Sequence, residues 1–322
     1  MFICPKCKSE FSLPQCECGY NAVQLNNIWQ LTDMPDIITS GSGDKYIGYE
    51  HIGESYSGNR KYLIEESDAF FANEISELTG NGVFLDLGCG DGCITVPCVA
   101  NGTSIIAGDI SNKMLSILQD KAKHNNIKLS NVTLCRMNAI EIPLADESVD
   151  TVLANSVLHL ISSPEKVVRE IYRVLKKGGV FVCRDDAPSK TPETPFDNSL
   201  YFEIVNSIYS EYWNRLNAQG IYAKKYSWKF DRNAFCDRLF IRRVEKSIEQ
   251  NQPYEIPLKD GFLPRFTSRG FSDQVDVPKD LHDEIITGLL QVFKEKYGES
   301  FVDISLKGLE QDMLITMYYK LK

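Results

Sequence analysis

The chain has 322 residues, 43% hydrophobic and 25% charged, a balance that supplies apolar surface for a folded core and excludes disordered and fibrous classes. Lys and Arg number 35 against 44 Asp and Glu, giving a net charge of −9, which disfavours RNA or any partner held mainly through phosphates. No apolar run reaches the roughly 18 residues that span a bilayer, and the N-terminus lacks a basic stretch followed by an apolar one. No membrane partner and a cytoplasmic location are therefore expected.

Residues 1–40 read as a metal-binding segment. Cys4-Pro5-Lys6-Cys7 is a C-x-x-C pair, and Cys16-Glu17-Cys18-Gly19 supplies two more thiols. Structural zinc takes four ligands tetrahedrally, so Cys4, Cys7, Cys16 and Cys18 would fill the ion's coordination with no open position. Such a zinc would stabilise a segment too short to bury a core of its own. The competing reading is four unliganded thiols. Ile38-Thr39-Ser40-Gly41-Ser42-Gly43 reads as a linker, and the main domain is placed at residues 45–322.

From Glu65 the apolar residues Ala69, Phe70, Ala72, Ile75 and Leu78 recur at helical spacing, and Gly80-Asn81-Gly82 ends the pattern. Val83 to Leu87 then reads as a short strand. It runs into Asp86-Leu87-Gly88-Cys89-Gly90-Asp91-Gly92 and the helix start Ile94-Thr95-Val96. A glycine-rich turn between strand and helix lets backbone approach a ligand closely, which implies a nucleotide-like ligand. The spacing is G-x-G-x-G, with Cys93 where the dinucleotide fingerprint has its third glycine. A second strand, Ser104 to Gly108, ends in Asp109, 21 residues after Gly88, where a carboxylate can accept from both hydroxyls of a ribose.

In these motifs the chain resembles the class I S-adenosylmethionine-dependent methyltransferases of the type 11 or UbiE-like kind. The likeness continues through Leu134 to Ala139, Ile142 to Asp150, Val152 to Leu160, the helix from Val167 to Leu175, the turn Lys176-Lys177-Gly178-Gly179 and the strand Val180 to Cys183. It covers residues from about 65 to 186. The resemblance implies an α/β fold: a Rossmann-like seven-stranded methyltransferase sheet, an N-terminal zinc ribbon like those in front of several methyltransferases, and a mainly helical substrate lid inserted within 187–300.

It also implies S-adenosylmethionine as cofactor. The backbone at Gly88, Gly90 and Gly92 would follow the methionine portion, with Asp86 orienting the loop or receiving the ammonium through water, against a plain cap or turn role. Asp109, with Ile110 beside it, would hold the ribose. Asn138 stands where many relatives have Asp, and its amide oxygen can still accept from the adenine amino group. Ala139 would offer a backbone amide to the ring, and Asn155 would end the fourth strand near the transferring methyl. The Asp/Asn-Pro-Pro-aromatic motif of amide and exocyclic-amine methyltransferases is absent. His159 is a candidate general base because imidazole titrates near neutrality, against a packing role at the start of the helix. The cysteines at 89, 93, 98, 135, 183 and 236 read as small buried residues.

Tyr46, Tyr49, Tyr56 and Arg60 precede the fold in a segment that closes over the cofactor in many relatives. Beyond Cys183, the aromatic residues Tyr201, Phe202, Tyr209, Tyr212, Trp213, Tyr222, Tyr226, Trp228 and Phe230 read as a lid around a small substrate, as stacking platforms for RNA bases, or as helix core. Arg265 and Arg269 either hold an anionic substrate or form surface salt bridges. A helix from about Lys279 to Tyr297 and a final strand from Asp312 to Tyr319 complete the chain. The expected function is methyl transfer to a small metabolite or natural product. The alternatives are a ribosomal RNA (guanine-N1) methyltransferase, whose front pattern differs from C-x-C-Gly, and a scaffold without turnover.

Overall fold

The computed structural model describes residues 2–32, 62, 64–186, 196–222, 230–248, 253–274, 276–309 and 313–321. Val83 to Leu87 form strand β5, after four short N-terminal strands: β1 (Phe2–Ile3), β2 (Glu10–Phe11), β3 (Val23–Leu25) and β4 (Ile28–Gln30). Phe84, Leu85 and Leu87 of β5 are all buried, as expected of a parallel strand covered on both faces. Helix α1 (Glu66–Thr79) precedes it, and α2 (Thr95–Ala100), β6 (Ser104–Asp109), α3 (Asn112–His124), β7 (Val132–Arg136), β8 (Val149–Leu153), α4 (Pro164–Val174) and β9 (Leu175–Asp186) follow. The buried face of α1 runs through Asp68, Phe71, Ala72, Ile75 and Thr79, so Phe71 rather than the expected Phe70 faces the core; Phe70 is 43% exposed.

The chain divides into two units. The larger comprises residues 1–185, 226–246 and 315–322. Its nine-stranded sheet has the order β10-β13-β9-β8-β5-β6-β7-β4-β3, where β10 is Arg242–Ile248 and β13 is Met313–Tyr319. β5 pairs in parallel with β6 on one side and β8 on the other, so the strand order reverses at β5. Ligands of open α/β sheets bind beyond the carboxyl ends of the strands at such a switch point, and the glycine turn after β5 lies there.

Among the described residues the sheet has two strands more than the expected seven. The extra pair is the hairpin β3–β4 of the N-terminal segment, and β4 joins β7 in parallel through Trp29↔Cys135 and Gln30↔Arg136. Lys176 to Gly179 do not form a separate turn before the fifth strand; they bulge within β9, where the register steps from Val149↔Leu175 to Thr151↔Val180. Gly178, at φ +77°, supplies the conformation that the bulge needs.

The second unit, residues 186–225 and 247–314, contains α5 (Ser199–Asn217), α7 (Phe262–Thr267), α8 (Lys279–Tyr297) and the antiparallel ribbon β11 (Pro253–Pro257) with β12 (Ser305–Leu309); α6 (Arg232–Cys236) belongs to the larger unit. Tyr201, Tyr212 and Trp213 are buried in this unit's own core with Phe266, Leu289, Phe293 and Phe301. Tyr212 donates to His282 Nδ1 across 2.7 Å when the other ring nitrogen donates to the Thr267 carbonyl at 3.0 Å. Phe202 and Tyr222 are exposed. Phe230 packs against Phe235 in the larger unit. Arg265 lies over the Phe271 ring and bonds to Gly270 O, while Arg269 donates to Val277 O at 2.7 Å. Tyr46, Tyr49, Tyr56, Arg60, Tyr226, Trp228 and the expected linker at 38–43 lie outside the described residues. Among the described residues, no helix is long and apolar enough to cross a membrane.

Candidate cofactor and metal sites

The glycine turn is held by the neighbouring strand. Gly88 N and Cys89 N both donate to Gly108 O, at 2.7 and 3.1 Å, and Gly92 N donates to Cys89 O at 2.9 Å. The glycines at 88 and 90 are needed for different reasons. At Gly88, φ is +72° and a Cβ would lie 2.0 Å from Val157 Cγ2, so the residue is dictated by packing against the turn after β8. At Gly90, φ is +54° and a Cβ would meet only the tip of Met114 at 3.4 Å. Gly90 thus presents backbone on which a Cβ would make a single contact, an uncrowded position of the kind a closely approaching ligand requires.

Asp109 closes the other side of the turn. Its Oδ2 accepts from Gly90 N and its Oδ1 from Ser111 N, both at 2.9 Å. A carboxylate offers about four lone-pair directions, so a group of this kind at the end of β6 is an acceptor suited to hydroxyl donors. Ser111 caps α3 by accepting from Met114 N at 3.1 Å, and Ile110 between them accepts from Arg136 Nε at 3.1 Å. Asp86 is buried and accepts from Thr95 Oγ1 at 2.5 Å, which ties the strand before the turn to the helix after it. Burial raises its pKa to about 7, with the nearby Asp109 charge adding to the shift and the Thr95 hydrogen bond opposing it.

One partnership in the turn escaped the sequence reading. Asp91, between Gly90 and Gly92, pairs with Lys121 at 3.0 Å, and the Lys121 side chain is buried. A signal existed: Lys121 falls on the buried stripe of α3 with Met114, Leu118 and Ala122, where a lysine requires an anionic partner.

Asn138 and Ala139 follow β7. The Asn138 side-chain oxygen accepts from Ile140 N at 3.1 Å, and Glu141 N donates to Asn138 O at 3.2 Å, so the amide the sequence assigns to adenine also folds its own loop. Asn155 is half-buried just past β8, two residues before the Val157 that packs on Gly88. His159 lies exposed on the turn Leu158–Leu160, and partial desolvation by its surroundings lowers its pKa from the usual histidine value. Of the remaining cysteines, 89, 98, 135, 183 and 236 are buried and Cys93 is half-buried. Burial keeps the thiols of Cys89, Cys98 and Cys135 protonated.

The sulfurs of Cys4, Cys7, Cys16 and Cys18 lie within 4.8 Å of one another, with Cys4–Cys18 and Cys7–Cys16 both at 3.6 Å. Zinc–sulfur bonds of about 2.3 Å in a tetrahedron place sulfurs about 3.8 Å apart, so the four thiols fit that ion. Disulfide sulfurs would approach to about 2.05 Å. Hydrogen bonds from Ser9, its backbone first, lower the Cys7 thiol to about 6, while Cys16 and Cys18, against backbone hydrogen bonds that lower them, are raised by desolvation and the neighbouring thiols.

Residues 85–183 match the family described as "Methyltransferase domain". The demethylmenaquinone methyltransferase of Listeria welshimeri is 32% identical over 120 residues, 37% of this chain and 48% of that protein. The ubiquinone/menaquinone biosynthesis C-methyltransferase UbiE of Vibrio campbellii is 36% identical over 125 residues, 38% of this chain and 48% of that protein. The chain thus spans about half the length of the curated relatives it matches. The YcgJ protein of Bacillus subtilis is similar over 80% of this chain and 100% of its own, with a TM-score of 0.46 at 18% identity. The matched residues contain the turn at 88–92, Asp109 and the loop at 138–139.

Proposed function

We propose that the protein is an S-adenosylmethionine-dependent methyltransferase acting on a small metabolite or natural product, with a structural zinc held by Cys4, Cys7, Cys16 and Cys18. The observation that carries the reading is the joining of Gly90 and Asp109: one hydrogen bond fixes the backbone of the turn beside a carboxylate of the kind that accepts from ribose hydroxyls. S-adenosylmethionine bound there supplies a sulfonium methyl that is already an activated electrophile. The chain's task is then chiefly proximity and orientation.

Gly90 meets the methionine portion with backbone, Gly88 and Gly92 shape the turn around it by packing on Val157 and Leu118, and Asp86 holds strand and helix together beside them. Asp109 takes the ribose hydroxyls, with Ile110 beside it, and Asn138 and Ala139 meet the adenine edge. Asn155 borders the reacting methyl. His159 is available to take a proton from an acidic acceptor group. The acidic net charge and relatives named for quinone methylation support a small acceptor over RNA.

The test is transfer of radiolabelled methyl from S-adenosylmethionine into an extract of the source cells, with and without prior ribonuclease, followed by separation by size. Label in small molecules that survives ribonuclease is expected. Label in large RNA that vanishes after ribonuclease would overturn the small-acceptor reading, and no label in any fraction would count against methyl transfer itself.

A further inference from the structure

The N-terminal segment of residues 2–32, which begins with the knot of Cys4, Cys7, Cys16 and Cys18, bonds to the loops assigned to the nucleoside end of the cofactor by two separate routes. The first reaches the loop that begins at Asn138. Ile3 N donates to Pro143 O at 3.0 Å, Phe2 bridges Leu144, and Lys8 pairs with Glu141 at 2.8 Å. Cys4 and Cys16 are packed in one core cluster with Met137, Ile142 and Leu144.

The second route reaches the loop after Asp109. β4 pairs with β7, Leu31 N donates to Arg136 O at 3.0 Å, and the buried Arg136 side chain spans two carbonyls: Nη1 to Thr32 O at 3.3 Å and Nε to Ile110 O at 3.1 Å. Gln30 exchanges two side-chain hydrogen bonds with Asn112, at 3.0 and 3.2 Å, at the start of α3. One guanidinium therefore links the chain leaving the knot to the residue beside the ribose carboxylate.

The knot's own strands, β1 and β2, are two residues each. Elements this short do not hold a fold without a cross-link, so the four-thiolate centre is what fixes their geometry. We propose that this centre braces the adenine and ribose loops, with Arg136 as the positioning residue that transmits the brace. The proposal rests on the functional reading above. It makes metal occupancy a determinant of cofactor affinity as well as of stability.

The experiment is calorimetric titration of S-adenosylhomocysteine into the full chain in four forms: wild type and Arg136→Met, each zinc-loaded and chelator-stripped. Stripping the wild type should weaken binding about tenfold, and zinc-loaded Arg136→Met should weaken it similarly, the scale expected on losing hydrogen bonds from a charged donor. Stripping Arg136→Met should then add less than about threefold, because the transmitting side chain is already gone. Zinc released on thiol titration should remain one per chain in the loaded variant. Zinc-loaded Arg136→Lys, which keeps the charge but not the two-carbonyl span, should also bind more weakly while unfolding within a few degrees of wild type.

Wild-type affinity unchanged by verified stripping, unchanged binding by Arg136→Lys, or effects that multiply fully would each overturn the proposal. Absence of binding by the loaded wild type would instead strike the functional reading. The brace is then decided by deuterium uptake at 110–112 and 138–144, which must rise on stripping if the proposal holds and stay level if it fails.

Discussion

Replacing Gly88 and Gly90 separately by Ala should divide fold from function. At Gly88 the new Cβ would sit 2.0 Å from Val157 Cγ2 at a φ of +72°, and Val157 is itself buried at 9% exposure. A side chain in the left-handed region costs about 1–2 kcal/mol and overpacking of a tight site about 1–3 kcal/mol, so Gly88→Ala should lose roughly 2–5 kcal/mol. At roughly 2–4 °C per kcal/mol for a unit of this size, its Tm should fall by about 4–20 °C. At Gly90 φ is +54° and the nearest atom to a new Cβ is Met114 Cε at 3.4 Å, so only the backbone term of about 1–2 kcal/mol remains. Gly90→Ala should therefore melt within several degrees of wild type while its methyl fills the space next to the turn, weakening S-adenosylhomocysteine binding at least about 50-fold. Differential scanning fluorimetry and calorimetric titration read the two effects. Gly90→Ala binding like wild type, or losing as much stability as Gly88→Ala, would refute the division.

Asp86, buried with a pKa near 7, binds its proton more tightly folded than unfolded, so its contribution to stability is greatest below the usual carboxylate pKa of 3.8 and declines as pH rises through 7. At 1.36 kcal/mol per pH unit the decline is at most about 4 kcal/mol, and Asp86→Asn should flatten that part of a urea-denaturation pH profile. Asp68 is buried and pairs with Arg184 at 2.6 Å, so Arg184→Met should destabilise the larger unit, by up to about 3–5 kcal/mol, by removing a charged partner of the carboxylate, and Asp68→Asn/Arg184→Met should recover part of that loss in the same assay. Lys121→Met should strand Asp91 and weaken S-adenosylhomocysteine binding, whereas Asp91→Asn/Lys121→Met should bind more tightly than Lys121→Met alone; equal affinities would show that the pair does not shape the turn.

The central part of the fold was legible because its signals are local. The apolar run of β5, the glycines that follow it and the acid ending β6 occupy one continuous stretch, and Lys279–Tyr297 is helical over the span its pattern indicates. The outer strands were not legible in the same way. β10 reads Arg-Arg-Val-Glu-Lys-Ser-Ile and is mostly exposed at the sheet's edge, where charge guards against pairing with other chains and erases the apolar alternation. The hairpin β3–β4 left a clue in Asn26-Asn27, both at positive φ, the turn chemistry of a two-residue hairpin. Its pairing with β7 spans a hundred residues of sequence, and no local pattern encodes it. The same limit applies to Tyr212 and Trp213: aromatic composition shows that a region can form a wall or a core, and only packing decides that both are core. At the site, the positions of Asp86, Asp109 and the glycines followed from the motif, while the Asp91–Lys121 and Arg136–Ile110 contacts depend on which faces of α3 and β7 meet the turn.

Cofactor binding to the intact chain bears most directly on the reading of the turn and Asp109 as an S-adenosylmethionine site. Calorimetric titration of the zinc-loaded protein with S-adenosylmethionine should give one site per chain, weakened strongly by Gly90→Ala and by Asp109→Asn but little by Lys259→Ala, whose residue forms an exposed ion pair with Asp303 in the other unit. Absence of binding by the wild type, or binding that neither Gly90→Ala nor Asp109→Asn alters, would contradict it.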